Sequence, residues 1–274
     1  MKMKKTWVGV TVVALLALAA AACGGGKQAK QDAARQQQWQ ELQANKQKLD
    51  AKRKQLADLR TQLKEAEAAS RETHGRHSKS EEASEAAKPT VADLETQVKT
   101  LDKDVSTESD QFDQSLVDFI NAKPIVEGTP PTEIQKQAIR MKSDEDMRLA
   151  QEYITKGGDY RHAIEIYNNA LAVDPDYQAL KDALAKAQED RYMTKDRFDK
   201  VKKNMTADEV REAIGQANLY NVKDYPEKHV TAWFYPKKDG GAAGVFYRKD
   251  TNTGKLKVYA TNFDAVKPQV ETEK

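Results

Sequence analysis

Between residues 31 and 69 the chain has no glycine and no proline, and leucine returns every seventh residue, at Leu42, Leu49, Leu56 and Leu63. Seven residues are close to two turns of α-helix, so these side chains share one stripe, and Leu59 falls on the same face. The spacing therefore predicts one long helix, about 60 Å at 1.5 Å per residue. Its companion row is weak, because Asn45 and Lys52 stand where apolar residues would complete a seam. Such a stripe has to be covered by another helix. Composition agrees: 32% of residues are charged, 39% are hydrophobic and the mean hydropathy is −0.83. Solvent-facing helices suit this balance better than one large core.

A second run supplies the cover. Thr90 and Asp93 make a capping-box-like start, with Asp in place of Glu. Val91, Leu94, Val98, Leu101, Val105, Phe112 and Phe119 then follow a heptad pattern that stops at Pro124. Between the runs, Ser70 to Lys88 is polar, contains Gly75 and several serines, and is followed by Pro89. It reads as a loop or a frayed helix tip. Residues 31–123 are thus expected to form an antiparallel coiled-coil hairpin, with Leu49, Leu56, Val98 and Leu101 in one seam. The alternative is pairing between chains. His74 and His77 in the loop lack a fixed third and fourth ligand, so no metal is expected there. Pro130 and Pro131 place a linker and a helix in residues 124–142.

From Ser143 the pattern changes. Ser143 is expected to cap a helix with Asp146 in its first turn. After it come Gly157-Gly158-Asp159-Tyr160, then Ala163, Ile164, Tyr167, Ala170, Leu171, Asp174 and Pro175. This series resembles a tetratricopeptide repeat over about 34 residues, the repeat length. The glycines allow the turn, the alanines allow close helix approach, and Pro175 ends the second helix. Tyr177 to Arg191 reads as a third helix, so residues 143–192 form a helical unit. Since such arrays need about three repeats to stand alone, this one must pack on another part of the chain. The resemblance implies protein–protein contact. The bland alternative is a helical link between two domains.

Residues 193–274 read as a small α+β domain. Thr206 and Glu209 make a capping box and Gly215 ends a short helix. Three strands are expected: His229 to Tyr235, Gly244 to Arg248, and Lys255 to Thr261 after an Asn252-Thr253-Gly254 turn. Met205-Thr206 with Val210, Ile214-Gly215, Trp233-Phe234-Tyr235 and Phe246 together resemble the SmpA/OmlA family, the BamE-type small lipoproteins of outer-membrane β-barrel assembly. Asn204 stands where that family has Gly, and Ala217 where it has Pro. The resemblance implies a fold and partner-binding surfaces more than a reaction. Trp233 and Tyr235 are either partner-facing aromatics or core.

The first 22 residues have the layout of an export signal. Lys2, Lys4 and Lys5 precede an uncharged Val-, Leu- and Ala-rich run from Trp7 to Ala22, and Ala20-Ala21-Ala22 lead directly into Cys23, the chain's single cysteine. This resembles the lipobox of bacterial lipoproteins. It implies cleavage before Cys23, diacylglycerol on its sulfur, a further acyl chain on its amine, and stable attachment to a bilayer. The alternatives are an ordinary secretory signal with an unrelated cysteine, or a one-pass anchor. Gly24-Gly25-Gly26 make residues 23–30 a flexible tether. Gly24, rather than Asp, after the cysteine resembles outer-membrane sorting; in a Gram-positive cell the same signal leaves the protein on the outer face of the plasma membrane.

Overall, the chain is expected to be mostly α with a small C-terminal α+β domain. The formal net charge of +2 includes the three signal lysines, leaving −1 on the remainder. That balance offers no basic face for nucleic acid. Gly240, Gly241 and Gly244 sit in a turn with no helix after them, which does not make a phosphate site. His162 and His229 have no partner visible in the sequence. No catalytic residue, cofactor, metal site or small-molecule substrate is expected. Cys23 is the one assigned site. The expected role is a non-catalytic envelope adaptor that binds a protein partner. The alternative is an inhibitor or regulator of an envelope enzyme, through a β-lactamase-inhibitor-like domain.

Overall fold

The computed structural model describes residues 26–74, 89–126, 128–251 and 253–268. Helix α1 spans Gly26–His74, α2 Val91–Asn121, α3 Glu133–Gly157, α4 Tyr160–Val173, α5 Gln178–Asp190, α6 Lys195–Phe198 and α7 Ala207–Ile214. The strands are β1 Val222–Tyr225, β2 Val230–Pro236, β3 Ala242–Lys249 and β4 Leu256–Val266. The chain is therefore mostly helical, with a C-terminal antiparallel sheet.

The two heptad runs pack on each other within one chain. Trp39, Leu42, Leu49 and Leu56 of α1 share a buried cluster with Val105, Phe112, Leu116 and Phe119 of α2, and Val98 and Leu101 pack against it. Each fully buried Leu or Phe stabilises by roughly 1.5–3 kcal/mol. Trp39 stacks on Phe119 with ring centroids 5.7 Å apart. The weak companion row has a visible consequence: Asn45 and Lys52 line an open cleft of 390 Å³ with Glu108 and Gln111, and Lys52 pairs with Glu108. Thr90 and Asp93 close their capping box as expected. Helix α1 extends further than the sequence suggested at both ends. It begins at Gly26, inside the expected tether, and runs through Ser70 to His74. Residues 75–88, with His77, lie outside the described residues.

A second row on α1 sits three residues before each leucine: Trp39, Lys46, Arg53 and Arg60. Beyond the tryptophan this row is basic, and it meets acids. Arg60 Nη2 lies 2.6 Å from Asp102 on α2. Arg53 makes a two-pronged contact with Glu145 of α3, its Nη1 and Nη2 donating at 2.9 and 2.7 Å, and it also donates to Ser109 of α2 at 2.9 Å. Lys46 and Arg148 complete the shell at 3.4 and 3.1 Å. Glu145 is 4% exposed. Burial acts to raise its pKa, but the bonds and charge of Arg53, and then the charges of Arg148 and Lys46, outweigh it and hold the carboxyl below its ordinary value. Three helices are thus locked by one buried anion.

Helix α3 corrects the sequence reading. It starts at Glu133, well before Ser143. Thr132 caps it, with its hydroxyl accepting from the Gln135 N–H while the Gln135 side chain accepts from the Thr132 N–H at 2.8 Å. Ser143 is a buried mid-helix residue, 3% exposed. A small side chain is what lets the helix approach its neighbours there. Helices α3, α4 and α5 bury Ala150, Ala163, Tyr167, Ala170, Leu180 and Ala187 together. The helical unit packs on α2 and α1 through α3, which supplies the cover it was expected to need.

The sheet has four strands in the order β1-β2-β3-β4, all antiparallel, where three were expected. The extra strand, β1, pairs Val222 with Trp233 at the sheet's edge. Thr206 and Glu209 cap α7 as expected, and Gly215 follows it at φ 89°. Val210 and Ile214 of α7, with Met193 and Phe198, close a core against Trp233, Tyr235, Val245, Tyr247 and Val258. Trp233 and Tyr235 are therefore core residues, 5% exposed each. Asn204 has φ 71°, a left-handed conformation that asparagine tolerates better than most residues. The domain sits beside the distal part of α1: Lys64 pairs with Glu212 at 2.5 Å and Lys255 with Glu67 at 3.7 Å. From Gly26 to Lys64 is roughly 57 Å of helix at 1.5 Å per residue.

Candidate interaction site

The helical unit and the sheet domain meet through backbone contact. Gly158 ends α3 at φ 62°. A Cβ at this position would lie 2.5 Å from the Gln216 carbonyl oxygen and 2.6 Å from backbone atoms of Ala217 and Asn218. Only glycine satisfies both the left-handed turn and the close approach. Asn218 Nδ2 donates to the Gly158 carbonyl at 3.5 Å. The α3–α4 turn is thereby seated on the segment that joins α7 to β1.

Beside this seat lies a cleft of 200 Å³, lined among others by Asp159, Tyr160, Arg161, Arg191, Tyr220 and Tyr235. Arg197 forms its floor. Its Nη1 donates to the Asp190 carbonyl at 2.9 Å and its Nη2 to the Ile214 carbonyl at 3.1 Å. Tyr235 donates to the Gly215 carbonyl at 3.1 Å, and burial raises its pKa, as it does that of Tyr160. Both phenols stay neutral donors at physiological pH. The rim differs from the floor. Arg161 and Arg191 are exposed. Leu219 and Tyr220 are 61% and 83% exposed on the turn before β1. A rigid polar floor with exposed Tyr and Arg around it offers residue types from which protein interfaces draw their strongest contacts.

Histidine 162 has partners that the sequence did not reveal. Asp159 caps α4 by accepting from the His162 N–H at 3.2 Å, and its other oxygen lies 2.5 Å from His162 Nδ1. The imidazole also stacks on Tyr153 at 5.4 Å. The i, i+3 spacing across a helix start carries this pair, and it is a signal the sequence does hold. His229 sits at φ 50° immediately before β2, a turn position. Among the described residues no three His, Cys, Asp or Glu side chains gather where a metal ion could be held. On the sheet face opposite the core, Phe234, Phe246 and Tyr259 run edge to edge at 6.1 and 6.4 Å, and Arg248 covers the Tyr259 ring at 4.3 Å. Cys23 lies outside the described residues. Among those residues no helix is long and apolar enough to cross a membrane. No known protein family, curated protein or solved structure matches the chain.

Proposed function

We propose that this is a lipid-anchored lipoprotein of the bacterial cell envelope that acts as a non-catalytic adaptor, holding a protein partner at the joint between its helical unit and its sheet domain. The observation that carries the proposal is the cleft at the joint: Tyr220, Arg161 and Arg191 stand exposed around a floor fixed by Arg197 and Tyr235. The export-signal layout and the lipobox around Cys23 support attachment to a bilayer. The resemblance to tetratricopeptide and SmpA/OmlA domains supports binding over catalysis, and it points toward outer-membrane assembly or maintenance as the setting. The heptad hairpin serves as the rod between anchor and joint, since its apolar stripes are used on each other and exposed charge pairs are worth little each.

The test uses the full-length chain, affinity-purified from its own cells after mild crosslinking. Tyr220→Ala combined with Arg191→Ala removes two rim side chains without touching the floor. Truncating a hot-spot residue costs about 2 kcal/mol or more, so recovery of the specific partner is expected to fall at least about tenfold. An unchanged yield in these variants, with loss on substitution of exposed hairpin residues such as Gln47 and Lys103, would refute the assignment of the joint.

A further inference from the structure

At the opposite end of the molecule, three exposed apolar side chains gather beside the start of α1. Ile125 and Val126 lie in the α2–α3 connection, 46% and 66% exposed, and Val173 ends α4, 62% exposed. Ile125 and Val173 line one groove of 210 Å³ with Arg35, Ile120 and Ile139. This end is tied to the first turns of α1. Arg35 Nη1 donates to the Phe119 carbonyl at 3.3 Å, and Lys123 lies 3.8 Å from Asp32. One of the polar residues lining the groove is incompletely satisfied: Arg35 Nη2 is buried without a hydrogen-bond partner. Its guanidinium lies 4.2 Å above the Phe119 ring, and burial lowers its pKa.

We infer that this end is a second membrane contact, with Ile125, Val126 and Val173 entering the bilayer interface. The inference rests on the lipid-anchor reading of Cys23. That cysteine precedes the first residue of α1 by only Gly24 and Gly25. Three extended residues reach at most about 11 Å, and Asp32 lies roughly 9 Å further along the helix. The lipid and the Ile125–Val126 connection therefore share one end of the rod, and the bilayer is the apolar phase brought to it. Side chains entering the interface add to the acyl chains on Cys23 and fix the rod's direction. The sheet domain, at the distal part of α1, is thereby turned away from the lipid surface.

The test uses the full-length, processed lipoprotein reconstituted in vesicles of phosphatidylcholine and phosphatidylglycerol. Because lipid occupies the thiol of Cys23, Val126→Cys gives one labelling position for a bimane fluorophore, and Tyr220→Cys gives the distal control. Mass spectrometry of the purified chain reports the lipid on Cys23. Interfacial residues sit about 5–10 Å into the headgroup boundary. Nitroxide-bearing lipid is therefore expected to quench position 126 roughly twofold or more, and to leave position 220 unquenched. A chain with no lipid on Cys23 overturns both the anchor reading and this inference. A lipid-bearing chain in which position 126 is no more quenched than 220 overturns this inference alone. So does one in which position 126 is shielded from aqueous iodide yet untouched by nitroxide lipid, a result that would place a protein on the patch.

Discussion

Glu145 is the residue on which the helical half of the molecule turns. It is buried, it accepts both prongs of Arg53, and Lys46 of α1 and Arg148 of α3 add two further cations around it. Removing one partner of a buried pair leaves the other desolvated and unpaired. Glu145→Ala is therefore expected to cost about 3–5 kcal/mol, read as a lower denaturant midpoint. Arg53 Nε already lacks a partner, which leaves the guanidinium little to fall back on. Replacing both residues with methionine should recover most of that loss, because an apolar pair of similar volume needs no compensation. The pH dependence follows from the direction of the shift. A carboxyl held below its ordinary value contributes stability that is present above about 4.5 and lost as pH falls through the folded-state value. Asp146 is shifted upward by burial and takes up its proton earlier, so it offsets part of that loss. Glu145→Gln should flatten the acid limb of the stability profile; an unchanged limb would assign the acid transition to other carboxylates. None of this was visible as a pair in the sequence. The basic row Lys46, Arg53 and Arg60 could be read, but its acid lay 92 residues away from Arg53, and no local rule connects the two.

At the scale of elements, the sequence was most legible where one signal decided the outcome. The leucine period fixed α1 and its seam with α2. The boxes at Thr90 and Thr206 fixed two helix starts, and Thr206→Ala should cost about 1 kcal/mol, seen as faster amide exchange in the first turn of α7. It was least legible where signals competed. Ser143 looked like a cap because serine prefers caps, yet Thr132 with Gln135 carries the complete box, and the prolines before it drew the reading toward a linker. Strand β1 escaped notice because only Val222 of its four residues is even partly buried. An edge strand without alternation has no pattern to find. Trp39 was missed for a different reason. It begins the basic row rather than the leucine row, and its value comes from stacking on Phe119 across the hairpin. The joint at Gly158 was half visible: a turn glycine was evident, whereas its contact with Gln216 depends on tertiary approach. Gly158→Ala forces both a left-handed alanine, worth about 1–2 kcal/mol, and a backbone collision. Amide exchange should accelerate in the 216–225 segment well before it does in α1. Equal acceleration throughout would show that the joint is not a separate point of failure.

For the molecule as a whole, the order of parts along α1 matters more than any one of them. The helix starts beside Cys23, meets the apolar Ile125–Val126 connection in its first turns, locks to Glu145 midway, and reaches the sheet domain near Lys64. Because α3 packs along both hairpin helices, the hairpin and the helical unit are not separable pieces, and a fragment beginning near Thr132 would expose Ala138 and Glu145 to water. Division of labour therefore has to be tested by position rather than by truncation. The most direct measurement is a photo-crosslinker placed singly at Tyr220, Arg161, Gln47 and Lys103 of the full-length chain in living cells. The proposed arrangement predicts one discrete protein adduct shared by positions 220 and 161, and none at positions 47 and 103 on the rod. The same adduct at 47 and 103, with silence at 220 and 161, would contradict it and make the hairpin the recognition element.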